Sequence, residues 1–96
     1  MRKRAKADAN QEQIVKDLRK LGCSVQPIHS VGNGCPDILV GWRGECFVFE
    51  LKNGDRPCDR VLTPDESKWH REWRGQVKVA GTTREIAEYL GITGVK

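Results

Sequence analysis

The sequence has no long run of apolar residues. Its apolar runs are only a few residues long, far short of the ~18 residues that indicate a membrane-spanning helix. The basic start is not followed by an apolar segment, so we do not expect a secretory signal. With 96 residues, of which 38% are hydrophobic and 31% charged, the chain has the size of one domain. We therefore expect a globular protein of the cytoplasm with no membrane partner.

Closely spaced cysteine pairs are also missing. There is no C-x-x-C pair and no nearby pair of histidines, whereas structural zinc sites use such pairs as ligands. We therefore predict no zinc. Disulfides are rare in a reducing compartment, so we expect free thiols. The four cysteines are nearly evenly spaced: Cys23, Cys35, Cys46 and Cys58.

The charge balance is mildly basic. Lys and Arg total 17 against 13 Asp and Glu, for a net charge of +4. This excess suggests a polyanionic partner, although a solvated basic surface would account for it equally well. We predict that residues 1–9 form a disordered basic tail that contacts DNA phosphates. The basic residues concerned are Arg2, Lys3, Arg4 and Lys6.

Residues 10–96 are predicted to form one domain. An apolar stripe at helical spacing predicts the first helix, and capping boxes predict the starts of the later two. Apolar runs on either side of residues 43–44 predict a hairpin. We predict an α/β (α+β) fold in the order α-β-β-β-α-β-α: helix 10–21, extended segment 23–31, strands 37–42 and 46–52, helix 63–75, strand 76–80 and a helix from residue 82.

The three tryptophans are expected to differ in exposure. Trp69 and Trp73 lie one helical turn apart, and we expect both to face the core. Trp42 stands at the end of the hairpin, where we expect it to be exposed. An exposed Trp42 would make the protein a candidate subunit of a larger complex.

Centring the hairpin turn on residues 43–44 sets the register of its strands. Asp37 then lies opposite Glu50. Opposed residues share a sheet face and side chains alternate along each strand, so Lys52 joins these two acids on one face. The other face is apolar and is made by Ile38, Val40, Phe47, Phe49 and Leu51.

Two opposed carboxylates repel each other and destabilise a sheet. A divalent cation between Asp37 and Glu50 would remove that cost, and oxygen ligands of this kind suit Mg²⁺. Lys52 on the same face could orient a water molecule or neutralise a phosphate. The alternative is a surface cluster of these three residues with an ordinary salt bridge.

These residues match a nuclease motif. Pro36-Asp37, a 12-residue gap and Glu50-Leu51-Lys52 form the PD-(D/E)xK signature. Together with Gly34 before the motif and the 62–64 segment (Leu-Thr-Pro) opening a helix that carries a tryptophan, the chain resembles the VRR-NUC branch of that superfamily. The resemblance covers residues 12–89 and implies a restriction-endonuclease-like core.

The resemblance also implies a site and a reaction. Asp37 and Glu50 would hold Mg²⁺ or Mn²⁺ with help from the Leu51 backbone carbonyl, and Glu12 would complete the acidic site directly or through water. Lys52 would position or activate the water that hydrolyses a DNA phosphodiester. Members of the branch usually carry glutamine where this chain has a glutamate, at position 66. The capping box explains that residue, so we leave it out of the catalytic set.

Small stand-alone members of the branch resemble phage nucleases that act as homodimers on branched DNA. The resemblance therefore implies a Holliday-junction-resolvase-like endonuclease, located in the host cytoplasm if phage-encoded. It also implies that the loop around Asn33 meets DNA beside the metal site. The alternatives are a general nuclease acting on duplex or flap DNA, and a non-catalytic DNA-binding module with the same fold.

Overall fold

A computed structural model of the protein describes residues 9–53 and 60–93. The fold is α+β, and its helices and strands follow the predicted order α-β-β-β-α-β-α. None of the helices in these ranges is long and apolar enough to cross a membrane. The bounds are α1 Ala9–Lys20, β1 Ser24–Pro27, a 3-10 turn His29–Val31, β2 Ile38–Trp42, β3 Glu45–Leu51, α2 Pro64–Glu72, β4 Val77–Ala80 and α3 Thr83–Leu90.

Some sequence-based predictions lie outside the described residues. These are the disordered state of the tail, its DNA contacts and the free thiol at the fourth cysteine. The residues concerned are Arg2, Lys3, Arg4, Lys6 and Cys58.

The four strands form one mixed sheet in the order β1-β2-β3-β4. The first two pairings are antiparallel, and β3 pairs with β4 in parallel. Ile38 lies opposite Phe49, which confirms the predicted hairpin register. Arg43 and Gly44 have φ angles of 51° and 81°. Positive φ at both central residues belongs to the type I′ turn, whose twist matches that of the strands it joins.

The hydrophobic core lies on one face of the sheet, between β-strand side chains and the helices α1 and α3. Because strand side chains alternate, the apolar residues predicted for this face point to it, whereas Leu39 and Val48, which are paired with each other, point to the opposite face. Full burial of each large side chain contributes about 1.5–3 kcal/mol to folding. The largest fully buried hydrophobic side chains are Phe49, Leu18, Ile38, Ile86 and Val40.

Helix α2 contributes little to that core, and two predictions about tryptophans are wrong for this reason. The helix has no buried residue. Trp69 is half-buried and stacks on Trp73 with a ring-centroid distance of 4.6 Å, and Trp73 is 44% exposed. Glu66 and His70 of α2 approach Lys52 and Glu50, on the face of the sheet away from the core.

Trp42 also differs from the prediction of an exposed side chain. It is half-buried and packs against the core cluster. The reason is strand alternation, which places Trp42 on the same face as Ile38 and Val40.

The loop before β2 packs tightly against the start of α2. Gly34 has a φ of +83°, and a Cβ there would clash with the Asp65 carbonyl and lie 2.9 Å from the Glu66 nitrogen. Glycine is therefore required at position 34 for two reasons: its backbone conformation, and the close approach of the loop to the start of α2.

This packing predicts a large cost for Gly34→Ala. Gly44→Ala is the matched control, because Gly44 has a φ of +81° and a Cβ added there would meet nothing within 4 Å. We expect Gly44→Ala to cost roughly 1–2 kcal/mol from its left-handed conformation. Gly34→Ala should cost about 1–3 kcal/mol more, because it also overpacks the loop–helix contact. Urea unfolding of both variants measures the difference, and equal costs would contradict the close approach.

Candidate active site

Asp37 is held by its backbone between two strands. Its N–H donates to the Phe49 carbonyl at 3.0 Å, and its carbonyl accepts from the Ile28 N–H at 2.8 Å. The side chain is fixed as well, because Oδ2 accepts the Leu51 N–H at 2.8 Å. The Asp37 carboxylate therefore lies at the C-terminal end of β3, beside the predicted partner residues.

Glu50 is the buried carboxylate of this site, with only 3% of the residue exposed. Burial raises the pKa of Glu50 to about 9, and the charge of Asp37 and a hydrogen bond with its side chain add to the increase. Atom Oε1 of Glu50 is buried and has no hydrogen-bond partner. Loss of water around a carboxyl group of this kind favours its protonated form.

Lys52 projects from the same side of β3 and forms an ion pair. Its Nζ lies 2.8 Å from Oε1 of Glu66. Burial lowers the pKa of Lys52, but the hydrogen bond and charge of Glu66 outweigh this effect, with Glu50 and Asp37 adding to it, so the pKa is raised overall. The lysine is therefore an ammonium donor rather than a base at neutral pH.

Glu66 enters the site although the sequence analysis left it out. The capping box is present as predicted: Glu66 Oε1 accepts the Thr63 N–H at 2.9 Å, and the Glu66 N–H donates to Thr63 Oγ1 at 3.2 Å. Burial alone would raise the pKa of Glu66, but the hydrogen bonds from Lys52 and Thr63 hold it below its usual value. One carboxylate oxygen thus caps α2 and also binds Lys52.

The backbone of Lys52 is fixed on its other side by β4. Its N–H donates to the Ala80 carbonyl at 3.0 Å. A Cβ at Gly81 would lie 2.8 Å from the Lys52 carbonyl oxygen, so the turn after β4 passes directly against this residue. The end of β3 is therefore held from both neighbouring strands.

Two further residues near the acids were missed by the sequence analysis. His70 Nε2 lies 4.0 Å from Glu50 Oε1, and burial lowers the pKa of His70. The pKa of the Cys35 thiol is raised by burial and then by the charges of Glu50 and Asp37. A helical spacing of four residues from Glu66 was the available signal for His70.

Glu12 does not form a group with Asp37 and Glu50 that is close enough to hold a metal ion. It is exposed on α1 and lines a groove with residues that include Pro27 and His29. The buried polar residue of that turn is Gln11, which is 4% exposed. The Nε2 atom of Gln11 lies 2.9 Å from the Nδ1 atom of His29. Within residues 9–53 and 60–93, no three Asp, Glu, His or Cys side chains are grouped closely enough to hold a metal ion.

Leu51 and Asn33 are the remaining residues predicted for the site that the structure describes. Leu51 ends β3 and is half-buried, with its N–H bound to Asp37. Asn33 is exposed, has a φ of 56°, and borders a polar pocket beside Lys68 and Trp69. Asn33 is therefore accessible next to the first turn of α2.

The donor set suits a divalent cation of the Mg²⁺ type. Such ions bind carboxylate oxygens and commonly take one or two from the protein. Asp37 and Glu50 supply two adjacent carboxyls, and the buried Glu50 Oε1 has a free acceptor position. The residues that are present therefore fit a cation between the two acids.

The raised pKa of Glu50 predicts how stability depends on pH. A carboxyl whose pKa rises from 4.5 to about 9 on folding binds its proton more tightly in the folded state. In EDTA, the free energy of unfolding should therefore fall between pH 4.5 and 9, by at most about 1.4 kcal/mol per pH unit, and level off above this range.

Glu50→Gln should remove this slope and raise the melting temperature at pH 8, because the amide has no proton to lose. Glu45→Gln replaces an exposed acid on the same strand and is the control that should keep the slope. Thermal unfolding across the pH range in EDTA makes the measurement. A slope that persists unchanged in Glu50→Gln would show that a group other than Glu50 causes it.

Comparisons of the chain with protein-family models, curated proteins and solved structures find no match. The function is therefore inferred from the residues around Glu50 and from the nuclease-like motif that contains them.

Proposed function

We propose that this protein is a metal-dependent endonuclease that hydrolyses DNA phosphodiesters and belongs to the VRR-NUC branch of the PD-(D/E)xK superfamily. One observation carries the proposal: a buried Glu50 lies beside Asp37, with the Lys52 ammonium on the same side of the sheet. Two opposed acids, of which Glu50 is buried, destabilise a fold, so a role in binding a cation explains their presence better than a structural role.

Asp37 and Glu50 are the proposed cation ligands, with the Leu51 carbonyl as a third oxygen. Bound Mg²⁺ or Mn²⁺ would supply Lewis-acid chemistry and lower the pKa of a water molecule at the site. The exposed position of Glu12 on α1 favours a contribution through water over direct binding.

Lys52 is proposed to act on the phosphate or on the attacking water. Its raised pKa keeps the ammonium charged, so it can donate a hydrogen bond and offset negative charge as the phosphodiester bond breaks. Glu66 is proposed to position Lys52, since it binds the ammonium from the fixed first turn of α2.

DNA is the proposed partner, and branched DNA the proposed substrate. One active site cuts one strand, whereas resolution of a junction needs two cuts related by symmetry. A homodimer would supply the second site at a fixed distance. The net charge of +4 and the exposed Asn33 support phosphate contacts. We place this activity in the cytoplasm, or in the host cytoplasm if the chain is phage-encoded.

Two variants should separate cation binding from catalysis. Asp37→Asn should lose both cleavage and Mn²⁺ binding, because it removes a ligand. Lys52→Ala should lose cleavage but keep Mn²⁺ binding, because the ammonium contacts water or phosphate. Cleavage of labelled DNA with Mg²⁺ or Mn²⁺ and calorimetry with Mn²⁺ alone measure the two effects.

The wild-type protein in excess EDTA is the control for the cation. Cleavage that survives EDTA would contradict the metal mechanism. Metal-independent binding of DNA without cleavage would instead support the non-catalytic module.

Dimeric action on branched DNA makes a separate prediction. Sedimentation at micromolar concentration should give about twice the chain mass of 10.8 kDa. A four-way junction should be cut faster than a linear duplex of the same sequence, and binding should weaken steeply with added salt. A monomer that cuts both substrates equally would leave a general nuclease acting on duplex or flap DNA.

A further inference from the structure

Two buried polar atoms face each other in the site without a partner. His70 Nε2 and Glu50 Oε1 are 4.0 Å apart, beyond hydrogen-bonding distance. Both atoms are buried and make no hydrogen bond. The only other buried side-chain atom of this kind among the described residues is Nε1 of Trp42. The two orphan atoms of the site therefore lie together rather than being scattered through the fold.

Two buried polar atoms without hydrogen-bond partners raise the free energy of the folded protein. A buried polar atom without a partner costs about 1–3 kcal/mol, and folded proteins contain few of them. An imidazole nitrogen can donate a hydrogen bond, and a carboxyl oxygen can accept one. A displacement of about 1 Å would bring the two atoms from 4.0 Å to hydrogen-bonding distance.

The helix that carries His70 also carries the residue that binds Lys52. Glu66 and His70 are four positions apart, so they share one face of α2. The residues that they approach, Lys52 and Glu50, are two positions apart, and Lys52 directly follows β3, so the two side chains project to the same side of the sheet. Glu66 therefore faces Lys52, and His70 faces Glu50.

We propose that His70 is a positioning residue whose Nε2–H donates to Oε1 of Glu50 and fixes the orientation of that carboxyl group toward Asp37. The geometry supports this direction of donation, because the buried Oε1 of Glu50 has no hydrogen-bond partner and a carboxyl oxygen can accept the imidazole N–H. The Trp69 ring lies beside the His70 ring, at 71° to it and with the centroids 6.2 Å apart.

In its consequence for cation binding, the inference rests on the proposed function. Partners that orient a ligand typically change metal affinity about 10–100-fold when they are removed. His70→Leu should therefore weaken Mn²⁺ binding by about tenfold or more, whereas His70→Gln, which keeps an N–H donor, should restore part of the affinity. If His70 only filled space, His70→Leu would bind Mn²⁺ more tightly than His70→Gln, because leucine is the more apolar replacement.

His29→Leu is the matched control, because His29 contacts Gln11 at 2.9 Å rather than an acid of the site. Calorimetry with Mn²⁺ alone on the four proteins gives the affinities, and urea unfolding checks that each is folded. Unchanged Mn²⁺ affinity in folded His70→Leu, with normal binding by the wild type, would overturn the proposal and leave the nuclease assignment intact.

A second measurement tests the hydrogen bond itself and does not depend on Mn²⁺ affinity. In EDTA, ¹⁵N NMR of the wild-type rings should show His70 protonated at Nε2, and Glu50→Gln should shift that resonance while Glu45→Gln leaves it in place. Protonation at Nδ1, or no response to Glu50→Gln, would overturn the inference. Loss of the Nε2 proton on saturation with Mg²⁺ would also overturn it, because His70 would then be a ligand.

If the wild type binds no Mn²⁺, the proposed cation site fails, and the NMR result alone decides the role of His70. The two failures are therefore distinguishable.

Discussion

The burial of Glu50 beside Asp37 is the constraint on which the rest of this structure depends. A carboxyl group that is 3% exposed and lies next to a second acid raises the free energy of the folded state unless a proton or a cation neutralises it. The neighbouring ammonium of Lys52 offsets the charge only in part, because Glu66 binds it at 2.8 Å. The site is thus short of positive charge at its most buried point, and this shortage is the physical basis for proposing a cation there.

Helix α2 approaches this site through two polar side chains. It covers the polar face of the sheet with Glu66 and His70 and contributes no buried residue of its own. Gly34 permits the close contact between the preceding loop and the start of the helix. Because Glu66 Oε1 both caps α2 and binds Lys52, the helix start and the proposed functional ammonium cannot move independently. A helix that docks through polar side chains leaves its tryptophans half-buried or exposed.

The predictions for Trp69 and Trp73 failed for a reason that spacing cannot show. Spacing places Glu66, Trp69, His70 and Trp73 on one side of an unbroken helix, but it does not say which of them reach the sheet. Trp69 and Trp73 do stack, yet Trp73 is an extended residue that follows the last residue of α2, and Glu66 and His70 are the side chains that approach Lys52 and Glu50. The same limit applies to α1, where the sequence suggested Glu12 for the site and the buried polar residue is its neighbour Gln11.

The sequence by itself determined the hairpin and what its two faces carry. Register depends on a two-residue turn and on strict alternation, both of which are local, so the core side chains and the shared face of Asp37, Glu50 and Lys52 could be predicted. The order of helices and strands was also readable from capping boxes and apolar spacing. Only the tertiary structure decided that α2 covers the acidic face, that Glu66 binds Lys52 and that His70 faces Glu50. Those contacts join residues 14 to 20 positions apart through the docking of a helix on a sheet, and docking depends on the whole packed surface rather than on any local pattern.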